Sequence, residues 1–267
     1  MVKVSFRSRL DATVAARGNA CVGIDPMPSV LDAWGVSHDA AGVEKVARGI
    51  VEVLGERAAV FKPQSAFFEP FGAEGIRVLE RVLADIAEAG ALSILDVKRG
   101  DIGSSMRGYA EAYLVDDAPL AADAITVSPY LGVGALTPAF ELAHDNGRGV
   151  YVLARTSNPD GGDIQTAHTR EGSVAQHVLD TLTELNPSLD GLLGVVLGAT
   201  QTDLGCDPSR FNGSILAPGI GAQGATMASL EGVFGATYSS VLPTASRQVI
   251  GGGSAELMAR FANLFFV

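Results

Sequence analysis

A single (β/α)₈ barrel is the fold class that the sequence predicts, on three observations. Eight short apolar runs recur along 267 residues, amphipathic stretches separate them, and no segment rich in Pro, Ser or charge divides the chain. Strands that alternate with helices build parallel α/β sheets. Eight such units in this length match the closed barrel, with a doubly wound open sheet as the competing arrangement. Residues 1–267 are therefore read as one domain.

The elements follow in order. Residues 5–17 are predicted to form an extra helix before the first strand, placed to plug the barrel's bottom. The eight strand candidates are Ala20–Ile24, Ala58–Phe61, Ala91–Leu95, Ala124–Val127, Val150–Leu153, Leu192–Leu197, Ile215–Ala217 and Ser240–Leu242. Their near-continuous apolar character suits strands covered on both faces. Ala73 to Ala89 places Ile76, Leu79, Val82, Leu83 and Ile86 on one helical face, and Glu171 to Asn186 does the same with Val174, Val178, Leu182 and Leu185. Met227 to Val233 reads as a short helix and Ala255 to Phe266 as the closing one. The least regular stretch is Arg155 to Arg170, with Asn158-Pro159-Asp160-Gly161-Gly162-Asp163 inside it. It is either a top-face loop able to act as a lid or a solvated surface turn.

Composition narrows the function. A net charge of −11 makes the chain a poor general binder of nucleic acid or anionic membrane. An anionic ligand would have to be held by placed Lys, Arg and backbone N–H groups. Cys21 and Cys206 fit no metal-site spacing, and Cys21, in an apolar run, reads as a buried reduced thiol. The first nine residues contain no apolar signal region, and no apolar stretch is long enough to span a bilayer. The expectation is a soluble cytoplasmic protein. His38, His144, His168 and His177 lie outside the strand ends, and no metal site is indicated.

The most informative residues are Asp96-Val97-Lys98-Arg99-Gly100-Asp101-Ile102-Gly103-Ser104-Ser105. On a strand Asp96 and Lys98 point to the same side, and Asp101 lies just beyond, where Gly100 allows a turn. Two acids and a base are crowded at a strand's C-terminal end, where α/β folds bind ligands. An ion pair closing a strand-to-helix turn would give the same pattern. Other strand ends add Asp25 before Pro26, Lys62 between Phe61 and Pro63, and Ser128 before Pro129. The first and last of these also suit plain turns. The seventh run leads into Pro218-Gly219-Ile220-Gly221-Ala222-Gln223-Gly224-Ala225-Thr226, a Gly-rich loop suited to a phosphate. Arg247, after the eighth, suits either a bidentate phosphate contact or a plain surface arginine.

With these residues in order, the chain resembles the orotidine 5′-phosphate decarboxylase family, above all its longer subgroup carrying Lys-Arg-Gly-Asp-Ile-Gly-Ser. The resemblance runs from Gly23-Ile24-Asp25-Pro26 to Arg247. It implies decarboxylation of orotidine 5′-monophosphate to uridine 5′-monophosphate, without metal or organic cofactor. It implies a charged tetrad of Lys62, Asp96, Lys98 and Asp101, with Lys98 as proton donor to C6 of the pyrimidine and Asp96 beside the departing carboxylate. Lys62 and Asp25 would hold ribose hydroxyls, Ser128 the pyrimidine edge, and Gln223, Arg247 and the backbone at Pro218 and Gly219 the phosphate. It also implies a homodimer in which Asp101, Ile102 and Ser105 reach the neighbouring site. Many members carry Thr where Ser105 stands; the hydroxyl is retained.

These residue types suit that chemistry. Losing CO₂ from C6 leaves charge that no ring system absorbs, and a fixed ammonium beside that carbon both stabilises the charge and protonates it. Carboxylates flanking Lys98 keep it charged. A Mg²⁺-dependent sugar-phosphate lyase, a Schiff-base aldolase and a nucleotide-binding barrel without turnover are the other readings. The flanking acids argue against the second, and the complete tetrad against the third.

Overall fold

The computed structural model describes residues 3–201 and 203–266. Its strands in chain order are β1 (Cys21–Ile24), β2 (Val60–Pro63), β3 (Leu92–Arg99), β4 (Ala124–Val127), β5 (Gly149–Arg155), β6 (His168–Thr169), β7 (Gly172–Ser173), β8 (Leu193–Leu197), β9 (Ile215–Pro218) and β10 (Val241–Ala245). β6 and β7 form a separate antiparallel hairpin. The other eight close into a parallel barrel in the order β1-β10-β9-β8-β5-β4-β3-β2. Pairing of Cys21 with both Val60 and Thr244 completes the circle, so the open sheet is excluded.

All eight apolar runs become strands, but several strands extend past the expected ends. β2 continues through Lys62 and Pro63, β3 through the charged motif to Arg99, β5 to Arg155 and β10 to Ala245. In β2 and β3 the apolar runs stop at charged side chains, Lys62 and Asp96. The strands do not, because those side chains find partners at the barrel mouth.

Two apolar layers hold the barrel. The larger lies between strands and outer helices and includes Val78, Leu79, Val82, Leu83 and Ile86 of the helix Gly72–Glu88. The helix expected over 171–186 is Val174–Leu185, because the hairpin occupies the preceding residues and Ser173 caps it through Gln176 N. Leu185 is exposed where that helix gives way to a 3₁₀ turn at Asn186. The smaller layer takes residues from all eight barrel strands, Tyr151 and Leu242 among them, together with Phe6 and Leu10 of the helix Phe6–Arg17. Phe6 meets Tyr151 edge-on with ring centroids 6.1 Å apart. A Cβ at Gly149 would collide with the Phe6 ring, so glycine is required for this helix to seal the N-terminal end. Cys21, a free thiol in this layer, is fully buried and its pKa is pushed up to about 12 by that burial.

Candidate active site

The C-terminal strand ends surround a cleft of about 410 Å³. Its charged floor comes from neighbouring strands. Lys62 of β2 donates from Nζ to Asp96 Oδ2 at 2.9 Å, and Lys98 of β3 donates from Nζ to Asp96 Oδ1 at 2.7 Å. Lys98 Nζ also donates to Gln64 Oε1 at 3.1 Å. Lys62 and Asp96 are buried, whereas the Lys98 side chain is 45% exposed.

Burial alone would raise the Asp96 pKa. The Lys62 and Lys98 ammonium groups outweigh it and hold the carboxyl well below the usual carboxylate range. Burial likewise disfavours the Lys62 ammonium, but Asp96 and Asp25 prevail and raise its pKa above the usual lysine value.

The geometry of β3 explains how Lys98 reaches Asp96. Leu95 pairs with Ile125 and Arg99 with Val127, so Asp96, Val97 and Lys98 face Thr126 alone. Such a bulge re-aims side chains. Lys98 adopts φ +47°, a left-handed conformation that costs a non-glycine residue about 1–2 kcal/mol. Its N–H donates to Thr126 Oγ1 at 3.0 Å, and Thr126 Oγ1 donates to Asp96 Oδ1 at 2.7 Å. The simple strand alternation expected for Asp96 and Lys98 is therefore replaced by a bulge with the same outcome: the two side chains meet.

The opposite part of the cleft is built by the Gly-rich loop. Gly219 has φ +114°, and a Cβ there would lie 2.7 Å from Thr200. Gly221 N donates to Ala225 O at 2.8 Å, folding the loop back before the helix Met227–Phe234, whose Thr226 cap pairs reciprocally with Ser229. The β5 loop forms another wall through Thr156, Ser157 and Asn158. It is tied at its base, where buried Arg155 donates to Gln201 Oε1 at 2.9 Å and Thr156 N to Gln165 Oε1 at 2.9 Å.

Eight of the expected site residues line this cleft: Asp25, Lys62, Asp96, Lys98, Pro218, Gly219, Gln223 and Arg247. Asp25 Oδ1 is buried without a hydrogen-bond partner, as is Ser246 Oγ. Asp101, Ser105 and Ser128 are not among the lining residues. Asp101 Oδ1 accepts from Ile102 N at 2.8 Å, Ser105 is exposed on the helix Gly103–Leu114, and Ser128 N donates to Arg99 O at 2.8 Å. Ile102, Tyr130 and Leu131, in the segments after β3 and β4, are exposed apolar side chains.

Sequence reasoning missed Gln64, Thr126 and Ser246 as lining residues, while Thr156, Ser157 and Asn158 belong to the stretch Arg155 to Arg170 that it read as either a top-face loop or a surface turn. Gln64 follows Lys62 at strand spacing, a usable signal. Thr126 gave none, because Thr is an ordinary strand residue. Among the described residues, no group of three or more His, Cys, Asp or Glu side chains could hold a metal ion, and no helix is long and apolar enough to cross a membrane.

The model of the orotidine 5′-phosphate decarboxylase / HUMPS family matches residues 18–256. Curated relatives named orotidine 5′-phosphate decarboxylase include one from Salinispora tropica, 53% identical over 252 residues, which cover 93% of this chain and 91% of the relative. The Streptomyces coelicolor relative of the same name is 51% identical over 251 residues, 93% of this chain and 90% of the relative. Among solved structures, a Streptomyces avermitilis protein provisionally assigned as an orotidine 5′-phosphate decarboxylase superposes with a TM-score of 0.95 at 50% identity, covering 99% of this chain and 95% of that one. The Leishmania donovani OMP decarboxylase gives 0.78 at 30% identity, with 99% and 100% covered.

Proposed function

The chain belongs to the orotidine 5′-phosphate decarboxylase / HUMPS family, and from that premise we propose that it converts orotidine 5′-monophosphate to uridine 5′-monophosphate and CO₂ in pyrimidine synthesis. The observation that carries this reading is the Lys62–Asp96–Lys98 row, whose one exposed ammonium, Lys98, opens into the cleft.

In this reading the C6–carboxylate bond breaks, CO₂ leaves and the electron pair stays on C6. The Lys98 ammonium stabilises that charge and transfers a proton to C6; the resulting amine regains a proton from water. Asp96 keeps Lys98 charged and aimed and lies beside the departing carboxylate. Asp25 and Lys62 hold ribose hydroxyls, a role supported by the unpartnered Asp25 Oδ1. Gln223, Arg247 and the backbone at Pro218 and Gly219 grip the phosphate, remote from the reacting carbon, so that its binding energy organises the site. Neither a metal nor an organic cofactor takes part.

The active form is a homodimer of single-domain subunits, with Asp101, Ile102 and Ser105 serving the neighbouring site. Support comes from Asp101 lying three residues after Lys98 yet outside its own chain's cleft, and from exposed Ile102 beside it. Ser128, in the segment directly after β4, holds the pyrimidine edge. A cytoplasmic setting completes the reading; both cysteines are free.

The test follows the absorbance of orotidine 5′-monophosphate with and without a chelator. Turnover at equal rates is expected. No turnover overturns the reading, and chelator-sensitive turnover of a sugar phosphate instead favours the metal-dependent lyase.

A further inference from the structure

We propose that Thr126 is a positioning residue: its hydroxyl pins the bulge of β3 and thereby aims Lys98. The inference rests on the reading in which Lys98 delivers the proton. Thr126 is buried, lines the cleft, and is the one β4 residue opposite Asp96, Val97 and Lys98.

The bulge interrupts the strand ladder at Lys98. A buried or half-buried amide without a partner is costly, and Lys98 N finds its partner in the Thr126 hydroxyl rather than in a β4 carbonyl. The proton direction is determined. Ionised Asp96 only accepts, so the hydroxyl must donate to Asp96 Oδ1 and accept from Lys98 N–H. Lys98 Nζ donates to the same Oδ1. A closed ring results, running from the Lys98 amide through Thr126 and Asp96 to the Lys98 ammonium. It holds a lysine in left-handed backbone, φ +47°, which relaxed strand geometry would not keep. Valine has threonine's shape but neither donates nor accepts, so it would leave both the amide and Oδ1 short of a bond.

Thr126→Val and Thr126→Ser are compared with wild type, with Thr126→Ala in reserve should valine disturb the barrel. For Thr126→Val, kcat is expected to fall about 10- to 100-fold, the scale on which a misplaced catalytic group is penalised. Affinity for uridine 5′-monophosphate should change less than about threefold, and Thr126→Ser should recover most of the rate. In parallel, exchange of the Lys98 amide proton, followed by NMR, should quicken at least about tenfold in Thr126→Val and little in Thr126→Ser. An unchanged kcat, an equal loss in the serine variant, or a loss of kcat matched by a loss of nucleotide affinity overturns the proposal. If wild type does not decarboxylate orotidine 5′-monophosphate, the proposed function fails; amide exchange alone then decides whether Thr126 pins the bulge.

Discussion

Lys62 and Lys98 grip opposite oxygens of one carboxylate, at 2.9 and 2.7 Å from Asp96, and both line the cleft, but the Lys62 side chain is buried while that of Lys98 is half-exposed. The two cations are thus separated by access rather than by distance from the acid. Lys62, buried, holds the charge on Asp96, and Lys98 is the more accessible of the two ammonium groups.

Replacing these lysines should separate the two roles. Lys98→Ala should keep the thermal transition near that of wild type and still bind uridine 5′-monophosphate, while decarboxylation drops by at least about 10⁴-fold. Lys62→Ala should lower stability as well, since Asp96 then loses its buried partner, whereas water can replace the half-exposed Lys98 ammonium. Calorimetry beside steady-state rates reads both. Substantial residual activity in Lys98→Ala would sink its role as proton donor.

Asp96→Asn should be the more costly substitution. It leaves the Lys62 ammonium buried without its nearest counter-charge, a loss of about 3–5 kcal/mol. The pH dependence has a definite sign. The Asp96 pKa is lowered from its ordinary 3.8 by folding, so its contribution is complete above that value and disappears as acid takes the pH through the lower folded value. The Lys62 pKa is raised from 10.5, so its contribution is complete below that value and is lost only as the pH climbs through the higher folded one. The stability gap between wild type and Asp96→Asn should therefore stay flat from about pH 5 to 9 and shrink in stronger acid. Urea midpoints measured across that range check it; a gap that widened in acid would contradict the assigned charge state.

Loss of Arg247 or Gln223 should act through the phosphate. A charge-assisted contact contributes about 1.5–3 kcal/mol, so kcat/KM for orotidine 5′-monophosphate should fall roughly 10- to 150-fold in Arg247→Ala. The slow reaction of orotidine, which lacks the phosphate, should barely change. Equal losses with both substrates would remove these residues from the phosphate grip.

Mixed subunits test the shared site. Lys98→Ala and Asp101→Ala chains should each be inactive alone. In a two-fold dimer of one of each, one site collects both defects and the other neither, so up to about half of the wild-type activity per mixed dimer should return. Native mass spectrometry first establishes that the chains re-pair. Mixed dimers that form yet stay inactive would mean that Asp101 acts within its own chain.

The apolar runs disclosed the eight strands because a strand buried on both faces has little choice of residue type. They could not disclose where β3 ends, since Asp96 and Lys98 look like a break in the core until each is seen to neutralise the other. Thr126 was invisible for a different reason: its importance lies in the uneven register between β3 and β4, a property of two segments together. Leu185 was misplaced because it closes the helix, just before the chain turns into a 3₁₀ segment, and is left exposed there. Lys62 and Gln223 were legible from their place at or after barrel strands that share one cleft, whereas Asp25 and Arg247, which position alone left as turn and surface residues, were legible through the family resemblance.

Closure of β1 on β10 also bears on how the chain is made. The two strands are separated by more than two hundred residues, so a chain growing from its N-terminus cannot complete the ring until β10 has left the ribosome. Until then β1 keeps an unpaired edge, a template for wrong partners. Asp25 follows one of these strands and Arg247 the other. The ligand cleft is therefore assembled by the last joint of the fold to form, and a nascent chain stalled short of β10 would lack it.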